Sequence, residues 1–507
     1  MDGIINLVKN MQTGEIKLLR HFHRLQNNND KKKNLLFENA LKWKNCKTLE
    51  NIDEKAIFLI YGKKSKSDKT FEKLKCRLKT DILNILLLQE SSVKFRSKYE
   101  MAIFDCRRLT LQGDILLGRG LYQEGTTLLK KASALAQKNE LYAELVQIDN
   151  ICNSNNILKE EENDFIEYHS KIKAATLLME KLLFAKNCYN ELIANNLFKT
   201  MKTISLEEWQ KKLDLIKNDY SSSKSAKIGF YYYISCIYLY RSLNQYEKSL
   251  EFALELLKLQ ASADIFKTSY YSGNIHLEVA KSFLHTKRYD SAIIHSDLSF
   301  KNFGTDMMNA INASEIQFHC YINLSDHKKA KEILTTVLSN VYLLQDNFLK
   351  SKWSFFNACL EFKLQDYKKA VVALKNCNEL FKDKTGWMLG CTFFEAQCRI
   401  EAGNFEWFEY RLDAMKKLML RHNKGLLTNQ NNRFALIFTI LKTLNKNNYN
   451  FVKTIEDEKE NIKLLSEEAN GYRWNIAGSE PIRFDEWIKG KAEQMCKARN
   501  SKLKSVA

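Results

Sequence analysis

The sequence predicts an all-α chain, a superhelical array of antiparallel helix pairs with a small N-terminal helical domain. Three observations carry that expectation. Pro481 is the only proline in 507 residues, whereas soluble domains carry about 5% and helix interiors exclude proline. Apolar residues make up 45% of the chain, enough for a continuous core. Finally, a packing pattern returns along the chain: an aromatic, a small residue three positions later, then small or apolar residues four and seven further on. It reads first as Gly113, Gly120, Tyr122, Gly125, Leu129 and Ala132, then as Tyr246, Ser249, Ala253 and Leu256. It returns as Ala280, Tyr289, Ala292, Ser296 and Ser299, and as Ala330, Leu334 and Val337. The last copies are Ala358, Tyr367, Ala370, Leu374 and Cys377, then Ala396, Gly403, Phe405, Leu412 and Met415.

Residues 1–90 read as the basic N-terminal domain. A short amphipathic helix starts at Glu15, a second covers Leu35–Trp43, and a third covers Asn51–Ile60 with Gly62 as its stop. A long helix is expected from Lys69 to Glu90. Its apolar face is Phe71, Leu74, Leu78, Ile82, Ile85 and Leu86 at helical spacing. Its outer face carries Lys69, Lys73 and Arg77 in one stripe, with Lys75 and Lys79 beside it.

Residues 91–444 read as the repeat array, irregular around 160–220. Ser205 ahead of Glu207 and Glu208 suits a helix N-cap, and Ser221–Ser225 suits a turn. Residues 226–420 are the most regular stretch, with anchors at Ser249, Ala292, Ala330, Ala370 and Phe408. Residues 445–507 read as a C-terminal helical cap and basic tail with isolated apolar anchors at Trp474, Pro481, Phe484 and Trp487.

The pattern has a physical reading. Tyr289 falls near a turn, Ala292 opens the second helix of a pair, and Ser296 and Ser299 follow on one face. Ala280 on the first helix meets Ala292 on the second, so the two axes approach closely. Each pair needs only its neighbours to bury its core, so the length does not require separate globules.

Those residues resemble the tetratricopeptide repeat family. Gly113, Tyr122, Gly125, Leu129 and Ala132 match its pattern in the first clear copy, and Ala358, Tyr367, Ala370, Leu374 and Cys377 match it in the fifth. The resemblance covers about residues 95–420 with gaps. The intervals are longer than the family's 34 residues, and its proline after each unit is missing.

The resemblance implies that first helices line a concave surface that takes a peptide or a partner protein. Counting back from each anchor places Arg107, Asp114, Tyr231, Tyr238, Arg241, Asn274, Lys281, Asn312, Glu315, His319, Lys352, Phe355 and Gln397 on that surface. Tyr and Arg are common interface anchors, and Tyr231, Tyr238, Arg241 and Lys281 suit a peptide carrying acidic groups.

The formal charge is +19, from 79 Lys and Arg against 60 Asp and Glu. A Lys- and Asn-rich composition accounts for it, and so does a polyanion-binding surface. Residues 1–90 hold 19 basic and 11 acidic side chains. Lys69, Lys73, Lys75, Arg77 and Lys79 are therefore the candidate contacts to DNA or RNA. In that alternative, a nucleic-acid-linked regulator, the repeats sense a partner.

Twelve scattered cysteines without a CxxC pair point to a reducing compartment. Neither a signal peptide nor a membrane-spanning stretch is visible, so a cytoplasmic location is expected. His21 and His23 flank Phe22 and point to opposite sides of a helix, which suits structure better than metal binding. Phosphate-binding glycine loops and nucleophile elbows are missing. The expectation is a scaffold or adaptor with no enzymatic activity, cofactor or metal.

Overall fold

The computed structural model describes residues 1–25, 31–43, 52–62, 68–87, 98–158, 162–197, 206–304, 308–340, 346–382, 386–422, 429–468 and 471–504. All of the regular structure among them is helical. The chain divides into two units, Met1–Arg96 and Ser97–Ala507. Ser205, the expected N-cap, lies outside the described residues.

The first unit holds α1 (Asp2–Asn10), α2 (Thr13–Leu25), α3 (Lys31–Trp43), α4 (Ile52–Tyr61) and α5 (Asp68–Leu87). The periodicity of α5 puts Phe71, Leu74, Leu78, Ile82 and Ile85 into the core with Leu19, Leu36, Phe37 and Ala40. Helix α1 adds Ile4, Ile5 and Val8 to that core; the sequence reading placed no helix there. His23 is buried and sits 3.1 Å from Asp81, which also holds Lys33 at 2.6 Å.

The second unit starts with α6 (Lys98–Gly118), α7 (Tyr122–Lys138), α8 (Tyr142–Leu158), α9 (Glu162–Leu197) and α10 (Leu206–Ser223). Then come α11 (Ala226–Ser242), α12 (Tyr246–Ser262), α13 (Ser269–His285), α14 (Tyr289–Phe303), α15 (Met308–Asn323) and α16 (His327–Leu338). They are followed by α17 (Asn347–Lys363), α18 (Tyr367–Leu374), α19 (Asn378–Lys382), α20 (Trp387–Glu401) and α21 (Phe405–His422). The last are α22 (Asn429–Lys446), α23 (Phe451–Asp457), α24 (Lys459–Ser466) and α25 (Phe484–Lys504).

These helices form the expected stacked array of antiparallel pairs. Helices α6/α7, α11/α12, α13/α14, α15/α16, α17/α18 and α20/α21 pack as pairs, and each second helix packs on the next first helix. Five of the second helices begin on the expected aromatic: Tyr122, Tyr246, Tyr289, Tyr367 and Phe405. The turn before each has one geometry. Gly120, Asn244, Lys287, Ser325, Gln365 and Gly403 all have φ between 57° and 79°, and the following N–H closes back on the carbonyl five residues earlier, as in Gln245 to Tyr240 and Arg288 to Phe283.

Small residues set the crossing inside each pair. A Cβ on Gly125 would stand 2.9 Å from the Gly113 carbonyl oxygen, and one on Gly113 would stand 3.0 Å from that of Gly125. Ala280 and Ala292 are fully buried. The Ser299 hydroxyl donates to the Gly273 carbonyl across the same pair at 2.9 Å.

Around 160–220 the pattern changes because α9 is 36 residues long. It packs against α8 along one stretch and α11 along another. Of the turn expected at Ser221–Ser225, Ser221–Ser223 instead end α10, and Ser225 caps α11 by accepting from the Ile228 N–H.

The C-terminal segment between α24 and α25 crosses several layers of the array. Arg473 donates to the Asn244 carbonyl, Lys287 pairs with Glu468 at 3.0 Å, and the Ser479 hydroxyl donates to the Gly386 carbonyl at 3.0 Å. A Cβ on Gly390 would collide with the Ser479 carbonyl, so this glycine is what lets the segment lie down.

Arg433 anchors the segment from α22. The guanidinium is buried, donates twice to Glu480 at 2.6 and 2.8 Å and reaches Asp485 at 3.3 Å. It also holds the Leu465 and Tyr472 carbonyls. No described helix is long and apolar enough to cross a membrane.

Candidate functional site

The first helices of the array are apolar on most of their circumference, because each contacts its own pair and both neighbouring layers. Buried residues of α13, for example, include Gly273, Ile275, Leu277, Val279, Ala280, Phe283 and Leu284. One remaining strip holds charges and phenols, and it continues from one first helix to the next.

Ion pairs join the first helices at three places along the strip. Arg107 on α6 pairs with Glu144 on α8 at 2.8 Å. Arg241 on α11 pairs with Glu278 on α13 at 2.8 Å, and Lys281 closes on the same carboxylate at 2.8 Å. Lys352 on α17 pairs with Glu315 on α15 at 2.7 Å. All three interhelix pairs span 37 residues and each joins first helices of adjacent layers. The Tyr238 hydroxyl also donates to Glu278, at 3.3 Å.

The electrostatics follow from burial. Desolvation alone would raise the Glu278 carboxyl, but the Lys281 and Arg241 charges override it and hold the group down at about 2. Glu315 is lowered in the same contest, mainly by Lys352. His319 is buried 3.9 Å from Glu315, and desolvation lowers its imidazole to about 4. His285 stacks on Tyr246 with ring centroids 4.6 Å apart, and burial lowers it to about 3. The buried atoms Arg241 Nε, His285 Nδ1 and His319 Nε2 have no hydrogen-bond partner.

Tyrosines form the other part of the strip. Tyr189 on α9 lies 5.9 Å from Tyr231 and 5.5 Å from Tyr238, and Tyr99 lies 5.7 Å from Tyr271. Burial pushes the Tyr99 phenol up to about 12 and raises those of Tyr189, Tyr231 and Tyr271. At Tyr238 the Glu278 charge is the larger cause. All of them are therefore neutral hydroxyls at physiological pH.

Lys227 supports this end of the strip. Its Nζ donates to the Tyr99 hydroxyl at 2.7 Å and to the Glu140 carbonyl at 2.8 Å. Burial lowers the amine to about 8. The Glu140 carboxylate in turn accepts from the Ala226 and Lys227 N–H groups at the start of α11.

Several residues expected from the sequence meet here. Tyr231, Tyr238, Arg241 and Lys281 form one group, and Glu315, His319 and Lys352 form the next. Arg107 lies on the strip at α6, and Asp114 is exposed further along that helix. Asn274 and Asn312 are half-buried, and Asn274 accepts from Asn309 at 3.4 Å.

Three expected contacts are corrected by the structure, and His319, buried beside Glu315, is the first of them. Phe355 is fully buried, 5.6 Å from both Trp387 and Phe394, and Gln397 is also buried. A count back from each anchor assumes a constant interval, but the intervals vary. Three residues beyond Lys352 is a rotation of about 60°, enough to turn Phe355 into the core.

The sequence reading missed Glu144, Glu278, Tyr99, Tyr189 and Tyr271. Opposite charges repeating at 37 residues were the signal for the first two. On the first unit, Lys69, Lys73, Arg77 and Lys79 are exposed on α5. Lys75 is instead half-buried between Asp53 at 3.1 Å and Glu72 at 2.5 Å. Among the described residues, no group of three or more His, Cys, Asp or Glu is placed to hold a metal ion.

No protein-family model matches the chain, and no curated protein matches it in sequence. Among solved structures the chain is similar to the apo form of RapI, at 12% identity and a TM-score of 0.45 over 71% of this chain and 99% of that one. It is also similar to a Rap protein complexed with competence and sporulation factor, at 11% identity and a TM-score of 0.43 over 72% of this chain and 97% of that one.

Proposed function

We propose that this chain is a non-enzymatic interaction protein that binds a peptide or a segment of a partner protein along its first-helix strip. The observation that carries the reading is the continuity of the strip. Tyr231, Tyr238, Arg241, Lys281, Glu315 and Lys352 come from four successive first helices, with ion pairs joining α11 to α13 and α15 to α17. Neutral phenols and fixed charges on a rigid support suit recognition, because they lose little side-chain freedom on binding.

The same groups are poorly suited to acid–base chemistry. A general base works best with a pKa near the operating pH, whereas burial holds His285 at about 3 and His319 at about 4. Their ion pairs and neutral rings serve as a recognition surface without any bond being made or broken.

The test is affinity capture from native lysate with the intact chain, repeated with Tyr231, Tyr238 and Arg241 changed to alanine and, separately, with Tyr231→Ala alone. Circular dichroism and thermal melts verify folding. One specific partner captured by the wild type is expected to be lost or depleted at least tenfold in the folded variants. Capture of the same partners at the same level would overturn the reading.

A further inference from the structure

The ion pairs of the strip are lopsided in one direction. In each, the cation is the more exposed partner. Arg107 is 68% exposed against 11% for Glu144. Lys281 at 29% and Arg241 at 16% stand above Glu278 at 6%, and Lys352 at 17% stands above Glu315 at 14%. The carboxylates form the floor and the cations form the rim. A molecule approaching the strip meets ammonium and guanidinium groups first, with tyrosine rings between them.

A second, independent observation lies in the floor. His319 is buried, yet its Nε2 has no hydrogen-bond partner, and neither does the buried Nε of Arg241. A buried polar atom left without a partner costs about 1–3 kcal/mol, and such atoms call for an explanation in a ligand or ordered water. The Arg241 Nε–H is a donor only, and the neutral His319 imidazole donates from Nε2 in one tautomer. Cations outnumber carboxylates in this group, with Arg241, Lys281 and Lys352 against Glu278 and Glu315.

We propose that the strip seats an acidic, extended segment of a partner protein, with its carboxylates on Arg107, Lys281 and Lys352 and its intervening side chains on Tyr231 and Tyr238. This rests on the peptide-binding reading above and adds the chemistry of the ligand. An acidic segment neutralises the excess cation. A basic segment would meet a rim of its own sign and could reach the carboxylates only by displacing their present partners.

The experiment is fluorescence anisotropy on the full chain with three fluorescein-labelled dodecapeptides, alternating Glu and Leu, Gln and Leu, or Lys and Leu. The Glu probe is expected to bind at least tenfold more tightly than the Gln probe and to weaken as salt rises, and the Lys probe to bind weakest. Arg107→Gln combined with Lys281→Met should weaken the Glu probe about tenfold and leave the Gln probe unchanged. Arg107→Gln alone, on an exposed side chain, gives a smaller loss and keeps the test alive if the double variant fails to fold.

The proposal is overturned if the Gln or Lys probe binds as tightly as the Glu probe, if the folded variants bind the Glu probe like the wild type, or if no probe binds. None of these outcomes touches the broader reading, which stands or falls on whether partner capture depends on Tyr231, Tyr238 and Arg241.

Discussion

His285 and His319 are kept neutral by the array, and that sets how its stability responds to acid. Burial lowers both, to about 3 and about 4, and lowers His276 to about 4 as well. The unfolded chain takes up these protons below about pH 6.5 and the folded chain does not. Acid therefore favours the unfolded state, and stability is lost as the pH falls through this window. Each histidine adds at most about 1.4 kcal/mol per pH unit to the slope. The urea midpoint is expected to fall between pH 7 and pH 5, above the range where ordinary carboxylates titrate. His285→Phe, which preserves the stack on Tyr246, should flatten the fall. A midpoint that stays level over this range would show that burial does not hold the imidazoles neutral.

At the scale of the helix, two crossing residues and one turn decide the pair. Gly113 and Gly125 face each other where α6 crosses α7, and either side chain would push the axes apart. Gly125→Val should cost about 1–3 kcal/mol through overpacking, read as a lower urea midpoint with helicity at low urea unchanged. A variant as stable as the wild type would mean that the axes have room to spare. The recurring turn explains how far the pairs were legible. Tyr122, Tyr246, Tyr289, Tyr367 and Phe405 mark it directly in the sequence. Asn244, Lys287, Ser325 and Gln365 take the left-handed conformation that glycine adopts most easily, so no glycine marks those four turns, and the Ser325 turn lacks the aromatic as well. The face of each first helix was less legible. Its residues are apolar nearly all round, so Lys352 and Phe355, three positions apart, are not separated by periodicity.

At the scale of the molecule, the C-terminal segment makes the array more than a stack of neighbours. Layers of a solenoid normally contact only the next layer, and stability adds up locally. Here Arg473 reaches Asn244 across 229 residues, Glu468 reaches Lys287 across 181, and Ser479 reaches Gly386 across 93. Layers far apart in sequence are thereby tied to one segment. Arg433→Met would leave Glu480 buried without its cation, while Asp485 keeps Arg483 at 2.9 Å, and removing one partner of a buried pair costs about 3–5 kcal/mol. The expected result is a lower unfolding midpoint, together with protease cleavage between residues 467 and 483 under conditions where the wild type is intact. Wild-type resistance in this variant would show that the segment is held by its apolar contacts, such as Trp474, and not by the buried ion pairs.

The sequence by itself determined that the chain is helical and built from pairs, because near-absence of proline, small residues at crossing points and aromatics at turns act locally and leave a periodic trace. It also named five of the charged side chains of the strip, Arg107, Arg241, Lys281, Glu315 and Lys352, and two of its tyrosines, Tyr231 and Tyr238. Which carboxylates pair with them, which side of a first helix faces out, and how the last segment binds distant layers were decided by tertiary structure alone. Those outcomes depend on contacts between residues 37 to more than 200 positions apart, whose energy comes from joint burial and charge pairing that no single stretch of sequence contains.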